Sequence, residues 1–218
     1  MCSSDLYILH VELYMYLGKD FQIRSDDGQG FTVVMHLMTK ANLLGKGYHL
    51  VTDNFYTKVT LAHNLLFQKT LLTGTVRANS RSHPKELVQA RQQVGEISYM
   101  QSDTGILAVA FREKKHQRKS VLLMSTFVDR AANIEITNAR GQVAVKPEVV
   151  TIYNSAMGGV DMMDRKIYQI ASEWTTSRYW IKIFRNLIDM AVRNAYELYK
   201  QNTDKDKLLT CQNFVAEI

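Results

Sequence analysis

The order in which apolar periodicity changes along the chain constrains the fold most. Tyr7, Leu9, Val11 and Leu13 alternate with Ile8, His10, Glu12 and Tyr14, the period of two that marks a strand. A polar stretch, Arg24-Ser25-Asp26-Asp27-Gly28-Gln29-Gly30, makes a loop or turn. Phe31 to Leu44 then carries Val33/Val34, Leu37/Met38 and Leu44 at helical spacing, with Gly45 and Gly47 placed to end the helix as C-cap glycines. Tyr48 to Thr52 is a short β-rich run that stops at Asp53-Asn54. Leu61 to Gln68 reads as a second helix and Leu71 to Val76 as another strand. Strand, helix, strand, helix, strand in that order predicts an α/β core with crossover connections.

After Arg77 the texture changes. Short strand-like runs, Ile106 to Phe111 and Ser120 to Ser125, flank Arg112 to Lys119, where five of eight residues are Arg or Lys. This pattern reads as a β hairpin with a basic tip inside an inserted module. Further on, Trp180, Ile183/Phe184, Leu187/Ile188, Ala191/Val192 and Ala195 form one apolar helical stripe. Lys182, Arg185, Asp189, Arg193, Glu197 and Lys200 fall mostly on the other faces. The expected division is 1–78 as the first part of a core, 79–150 as an inserted β-rich module, 151–202 as the rest of the core with C-terminal helices, and 203–218 as a polar, fraying tail.

A net charge of +6 leans mildly towards a polyanionic partner. Cys2 and Cys211 lie at opposite ends with no Cys/His clustering, which leaves neither a disulfide framework nor a zinc site and suits a reducing compartment. No apolar run is long enough to span a bilayer, so no membrane partner is expected. Leu6 to Leu17 contains His10 and Glu12 without a basic leader, so it is read as an early strand rather than a signal peptide, with sequence missing upstream.

The acidic residues leave two readings open. Asp53 follows the 48–52 strand, and Asp161 and Asp164 stand three apart after Gly158-Gly159, sharing one side of a helical turn. Carboxylates gathered from distant segments suit Mg2+, a hard ion. Equally, Asp53-Asn54 is the kind of pair that closes a turn on its own backbone. Asp161 could be a helix N-cap, with Asp164 favoured in the first turn by the helix dipole. Arg77, Arg81, His83 and Lys85 cluster, as do Lys114, Lys115, Arg118 and Lys119. Each group is a phosphate-contacting strip or simply solvated surface. Trp174 and Trp180 flank Arg178, with core packing the expectation for Trp180. His36, His49 and His63 show no ligand spacing and are assigned to helix faces or the surface.

Several longer stretches carry a resemblance. Val51-Thr52-Asp53-Asn54-Phe55-Tyr56-Thr57 is similar to the "DNFYTS" stretch of the piggyBac transposase family. Leu72 to Asn79 and Pro84 to Leu87 resemble the segment that follows it there, and Leu122 to Thr126 the family's "LLST" strand. Tyr153 to Asp164 resembles its "YNxxMGGVDxxD" motif, and the Trp180 to Tyr199 helix also fits. The matches run in order over nearly the whole chain.

The resemblance implies an RNase H-like core, a mixed sheet with flanking helices, carrying an inserted domain between its second and third acidic residues. It also implies DNA as partner, a possible homodimer, and Mg2+ or Mn2+ as cofactor, held by Asp53 and Asp161 with Asp164 as an additional acidic residue. Arg77, Arg81 and Lys85 would contact phosphates, with Lys114, Lys115, Arg118 and Lys119 a second strip.

The first acidic place departs from the family. Tyr7 to Tyr14 matches the latter half of its "DSxTGYxxxFExY" pattern, and counting back without a gap puts Cys2 at the aspartate place. A thiol is a poor ligand for Mg2+. Asp5 reaches that place only with a gap or a shift of three residues. The family's cysteine-rich zinc-binding tail has no counterpart up to Ile218. The expectation is a transposase-derived fragment, catalytically inactive, with residual DNA binding and a nuclear location if functional, otherwise nuclear or cytoplasmic. The alternatives are an active metal-dependent DNA strand transferase using Asp5, and a structural or protein-interaction relic.

Overall fold

The computed structural model describes residues 28–78, 84–89, 92–113, 119–137, 141, 143–170 and 176–217. The strand expected at Tyr7 to Tyr14, with Cys2 and Asp5, lies outside them. The described residues up to Met157 form one compact unit and those from Gly158 another.

In the first unit, α1 (Gln29–Lys40) is followed by β1 (His49–Thr52), α2 (Val59–Phe67) and β2 (Leu71–Thr75). Strands β1 and β2 pair in parallel through α2, with His49 opposite Leu71 and Thr52 opposite Gly74, so the expected crossover is present. The helix end differs from expectation. Chain direction reverses at Asn42 (φ 53°), whose N–H bonds Thr39 O while Leu43 N–H bonds Met38 O. This six-to-one and five-to-two pair closes the last turn before either glycine is reached. Gly45 and Gly47 instead donate to Gln68 O and Lys69 O, tying the loop to the end of α2. There, Lys69 (φ 50°) takes the left-handed place, with Lys69 N–H on Leu66 O and Thr70 N–H on Leu65 O. Asparagine tolerates that conformation better than most residues; lysine accepts a steric cost for it.

The segment expected as an inserted module is built differently. A short α3 (Lys85–Gln89) leads to β3 (Ile97–Gln101), β4 (Leu107–Phe111) and β5 (Val121–Ser125), which join β1 and β2 in one sheet of order β1-β2-β5-β4-β3. The physical reason lies in β4 and β5. Both are apolar on both faces, so they belong inside a sheet covered on two sides. Alternation sorts their residues. Ala108, Ala110, Leu122 and Met124 face a core with Leu72, Val34, Met38, Leu61 and Leu65. Leu107, Val109, Phe111 and Leu123 face a second core with Val128, Val149 and Val150. Fully burying one such leucine or valine contributes about 2 kcal/mol. Phe111 pairs with Val121, giving the expected hairpin, though its tip at 114–118 lies outside the described residues. Among the described residues, only the ribbon of β6 (Asn133–Thr137) and β7 (Val143–Pro147) forms a separate sheet.

The long helix α4 (Glu148–Tyr168) begins in the first unit. The second unit contains α5 (Tyr179–Asn202), a 3-10 turn at Lys205–Lys207 and α6 (Cys211–Glu217). The tail from 203 is therefore helical in part, because Phe214 packs its ring on Tyr196 and Tyr199. Trp180, expected to pack in a core, does not, and α5 buries charged residues instead. Trp180 is 55% exposed and Phe184 60%, whereas Arg193 is 5% and Glu197 0% exposed. The burial of charge is made tolerable by pairing. The Glu197 carboxylate accepts from Lys166 Nζ at 3.2 Å, from Lys200 Nζ at 3.1 Å and from the Arg193 guanidinium. Hydropathy cannot anticipate three cations converging on one carboxylate.

Burial pushes the Glu197 carboxyl up, but hydrogen bonds from Lys200 and Lys166 and the Arg193 charge outweigh it, so the group is held below the usual carboxylate range. A depressed folded-state value contributes stability above the unfolded value of about 4.3 and loses it as pH falls through the folded one. Unfolding followed by the tyrosine signal of this unit should show stability constant from pH 7 to about 5 and falling below. In the Glu197→Gln variant that acid-side loss should shrink, with stability at pH 7 lowered by about 3 kcal/mol, the cost of breaking a buried pair.

Candidate functional site at the ends of the parallel strands

Parallel pairing brings the C-terminal ends of β1 and β2 side by side, the position at which open α/β sheets bind ligands. With Thr52 opposite Gly74, the residues just after β1 stand next to those just after β2.

The loop after β1 is closed by Asp53. Its backbone oxygen accepts from Tyr56 N at 3.3 Å, Thr57 N at 3.1 Å and Thr57 Oγ1 at 2.7 Å. Its Oδ1 accepts from Phe55 N at 3.0 Å, a side chain bonding its own loop two residues on. The turn-forming reading of Asp53 is thus realised, and Oδ2 has no hydrogen bond among the described residues. Below the loop, the Thr52 and Thr57 hydroxyls share a buried hydrogen bond of 2.8 Å. They occupy the space above Gly74, where a Cβ would lie 2.7 Å from Thr52 O and closer still to Thr57 Oγ1.

Asn54 and Phe55 are exposed at the loop crest. Arg77, two residues past β2, donates from Nε to Asn54 Oδ1 at 3.0 Å, and its Cζ lies 5.6 Å from the Phe55 ring centroid. The strands beneath are cross-linked by polar side chains. His49 Nε2 meets Thr73 Oγ1 at 2.9 Å, Thr73 Oγ1 meets Ser125 Oγ at 2.8 Å, and Ser125 Oγ accepts from Phe127 N and Val128 N. The His49 ring stacks on Phe127 at 4.2 Å, and burial lowers its pKa. His49 is thus a half-buried clamp, not the surface histidine expected.

The other expected residues divide. Lys85, at the start of α3, and Lys119 are exposed. Arg81, Lys114, Lys115, Arg118 and Trp174 lie outside the described residues. Asp161 and Asp164 are exposed on α4. Neither opens a helix. That helix starts at Glu148, so the N-cap reading of Asp161 is overturned, and Gly158-Gly159 runs inside the helix rather than before it. Their spacing of three still puts both carboxylates on one side. Asp53 belongs to the first unit, Asp161 and Asp164 to the second. Among the described residues no group of three or more His, Cys, Asp or Glu side chains gathers as a metal centre. Trp180 is exposed rather than packed in a core.

A family profile described as Transposase IS4 matches residues 1–196. A cryo-EM structure of the piggyBac transposase synaptic complex with hairpin DNA superposes with a TM-score of 0.75 at 28% identity, over 93% of this chain and 41% of that one. The chain belongs to the piggyBac transposase family. Among curated proteins of Homo sapiens, PiggyBac transposable element-derived protein 3 is 21% identical over 201 residues, 87% of this chain and 33% of that protein. PiggyBac transposable element-derived protein 2 is 25% identical over 182 residues, 78% of this chain and 30% of that protein. The chain spans about a third of the length of these curated relatives. Its α/β fold with a mixed sheet is that of the piggyBac transposase structure.

In this piggyBac-family chain the contact between Asn54, Phe55 and Arg77 was not foreseen, although a signal existed. In a strand–helix–strand crossover the first residues after each strand become neighbours, so Asn54 and Arg77 are paired by topology. Gly74 carries the tightest requirement. Gly74→Ala should push Thr57 out of place and cost about 2 kcal/mol or more, the scale of overpacking a filled interior. Chemical denaturation compared with the wild type checks this. A loss under about 0.5 kcal/mol, the range of ordinary surface substitutions, would show that the loop does not rest on Gly74.

Proposed function

We propose that this chain is a transposase-derived DNA-binding protein that has lost strand-transfer activity. The observation that carries the reading is Arg77, an exposed guanidinium held beside the Asp53 loop with no partner other than Asn54 and Phe55 among the described residues. A cation fixed at the ligand-binding end of a sheet suits a phosphodiester. Lys85 and Lys119, both exposed, and Arg81, Lys114, Lys115 and Arg118 from the sequence would extend the contact along the backbone. Such contacts supply affinity without base reading, and a nuclear location goes with this reading if the protein is functional.

The sheet with its helices is read as an RNase H-like core, and motif matching makes Asp53 and Asp161 its metal ligands, with Asp164 an additional acidic residue. The donor chemistry fits Mg2+ or Mn2+. Asp53 offers a half-buried carboxylate with Oδ2 open, and Asp161 and Asp164 are exposed carboxylates with no partner among the described residues. When bound, a metal pair supplies charge neutralisation for phosphodiester cleavage. Loss of activity follows from motif matching, which puts the thiol of Cys2 where the family has its first aspartate.

The test is a DNA-binding and plasmid-nicking comparison of the full chain. Duplex binding should weaken steeply as salt rises, and Arg77→Ala should lower the slope of log affinity against log salt by about one. No nicking should appear with Mg2+ or Mn2+ in the wild type or in Asp53→Ala. Metal-dependent nicking that Asp53→Ala abolishes would overturn the inactive reading. Binding indifferent to salt would overturn the DNA-binding one.

A further inference from the structure

We infer that Asn54 and Phe55 are positioning residues that hold the Arg77 guanidinium as a preformed clamp for one phosphodiester group. The inference rests on reading Arg77 as a phosphate contact.

Arginine has five N–H donors arranged as a planar fork, and its long stem gives it about 2 kcal/mol of rotamer entropy when free. Here one donor is already spent. Nε–H bonds Asn54 Oδ1 at 3.0 Å, and the guanidinium carbon lies 5.6 Å from the Phe55 ring centroid. The bond to Asn54 and the ring of Phe55 restrict rotation of the stem. The Nη1/Nη2 edge takes no hydrogen bond among the described residues, and this is the edge that meets two oxygens of a phosphate in parallel. The acceptor is itself fixed. Asn54 sits in a loop pinned by Asp53 O to Tyr56 N, Thr57 N and Thr57 Oγ1, and by Asp53 Oδ1 to Phe55 N. Thr57 in turn is bound to Thr52 over Gly74. Arg77 follows β2, the strand that contains Gly74, so both ends of the contact are carried by one paired unit. Ordering the fork before the ligand arrives removes a cost that would otherwise fall on binding.

The arrangement also separates what Asn54 does from what Arg77 does. Arg77 brings the charge; Asn54 brings none and determines only where the charge rests. Removing Asn54 should therefore weaken binding without changing how many counterions are released.

The experiment is a double-mutant cycle on the full 218-residue chain, with a fluorescein-labelled duplex of arbitrary sequence titrated at several salt concentrations. Asn54→Ala should weaken binding about three- to tenfold, the range expected for ordering one side chain, with the salt slope unchanged. Arg77→Ala should weaken it and lower the slope by about one. In the Arg77→Ala background, Asn54→Ala should have no further effect. Asn54→Asp keeps the acceptor but pairs the guanidinium with a carboxylate, so it should mimic Arg77→Ala in affinity and slope. Melting temperatures identify any variant that has lost its fold, and Phe55→Leu, expected to act as Asn54→Ala does, then replaces it in the cycle.

If Arg77→Ala weakens binding while Asn54→Ala leaves it unchanged, or weakens it equally in both backgrounds, the positioning role is refuted and the phosphate contact stands. If Arg77→Ala leaves affinity and slope unchanged, the phosphate contact itself is refuted.

Discussion

The parallel pairing of β1 with β2 is the constraint on which the site depends. Its register puts Thr52 opposite Gly74, and the missing side chain at Gly74 leaves room for Thr57 to fold back and bond Thr52. From that hydrogen bond follows the shape of the 53–57 loop, and from the loop the positions of Asp53 Oδ2, Asn54 and Phe55. A carboxylate, an amide and an aromatic ring reach one end of the sheet because two strands run the same way. Arg77 arrives at the same end from the second strand. The polar chain of His49, Thr73 and Ser125 reinforces the pairing from β1 through β2 to β5.

The second unit rests on a different kind of interaction. Glu197 is fully buried within reach of Lys166, Arg193 and Lys200, so its helix turns charged residues inward and leaves Trp180, Ile183, Phe184, Leu187 and Ile188 exposed. The aromatic packing of Phe214 on Tyr196 and Tyr199 draws the last helix onto the same side of α5. Buried ion pairs are weak net stabilisers compared with apolar packing, but they are intolerant of losing one member. That intolerance ties α5 to α4 through Lys166 and Glu197.

What was legible in the sequence follows from what each signal measures. Apolar periodicity located α1, β1, α2, β2, β4, β5 and α5 to within a few residues, because each depends on burying a local pattern. It misplaced the end of α1, where Asn42 rather than a glycine takes the left-handed conformation, and it missed that 97–125 completes the core sheet, since strand partners are set by tertiary pairing. The apolar stripe of α5 was legible, but the core place expected for Trp180 was not realised, because electrostatic pairing of Glu197 lies outside any hydropathy argument. At the ends of the parallel strands, Asp53 was singled out from its place after a strand and from the piggyBac-like motif around it, and its hydrogen bond to Phe55 N is that of a turn. The partnership of Asn54 and Arg77, 23 residues apart, required the parallel register to be known.

The proposed metal ligand Asp53 and the proposed phosphate contact Arg77 both follow strands of the parallel pair, after β1 and β2. The most direct measurement is Mn2+ titration of the isotope-labelled chain, followed by paramagnetic broadening of its amide signals. Signals of residues 53–57 and 75–77 should broaden first, and Asp53→Asn should remove that effect. Broadening confined to exposed carboxylates such as Asp103 and Asp129, with 53–57 and 75–77 untouched, would contradict a metal place at Asp53.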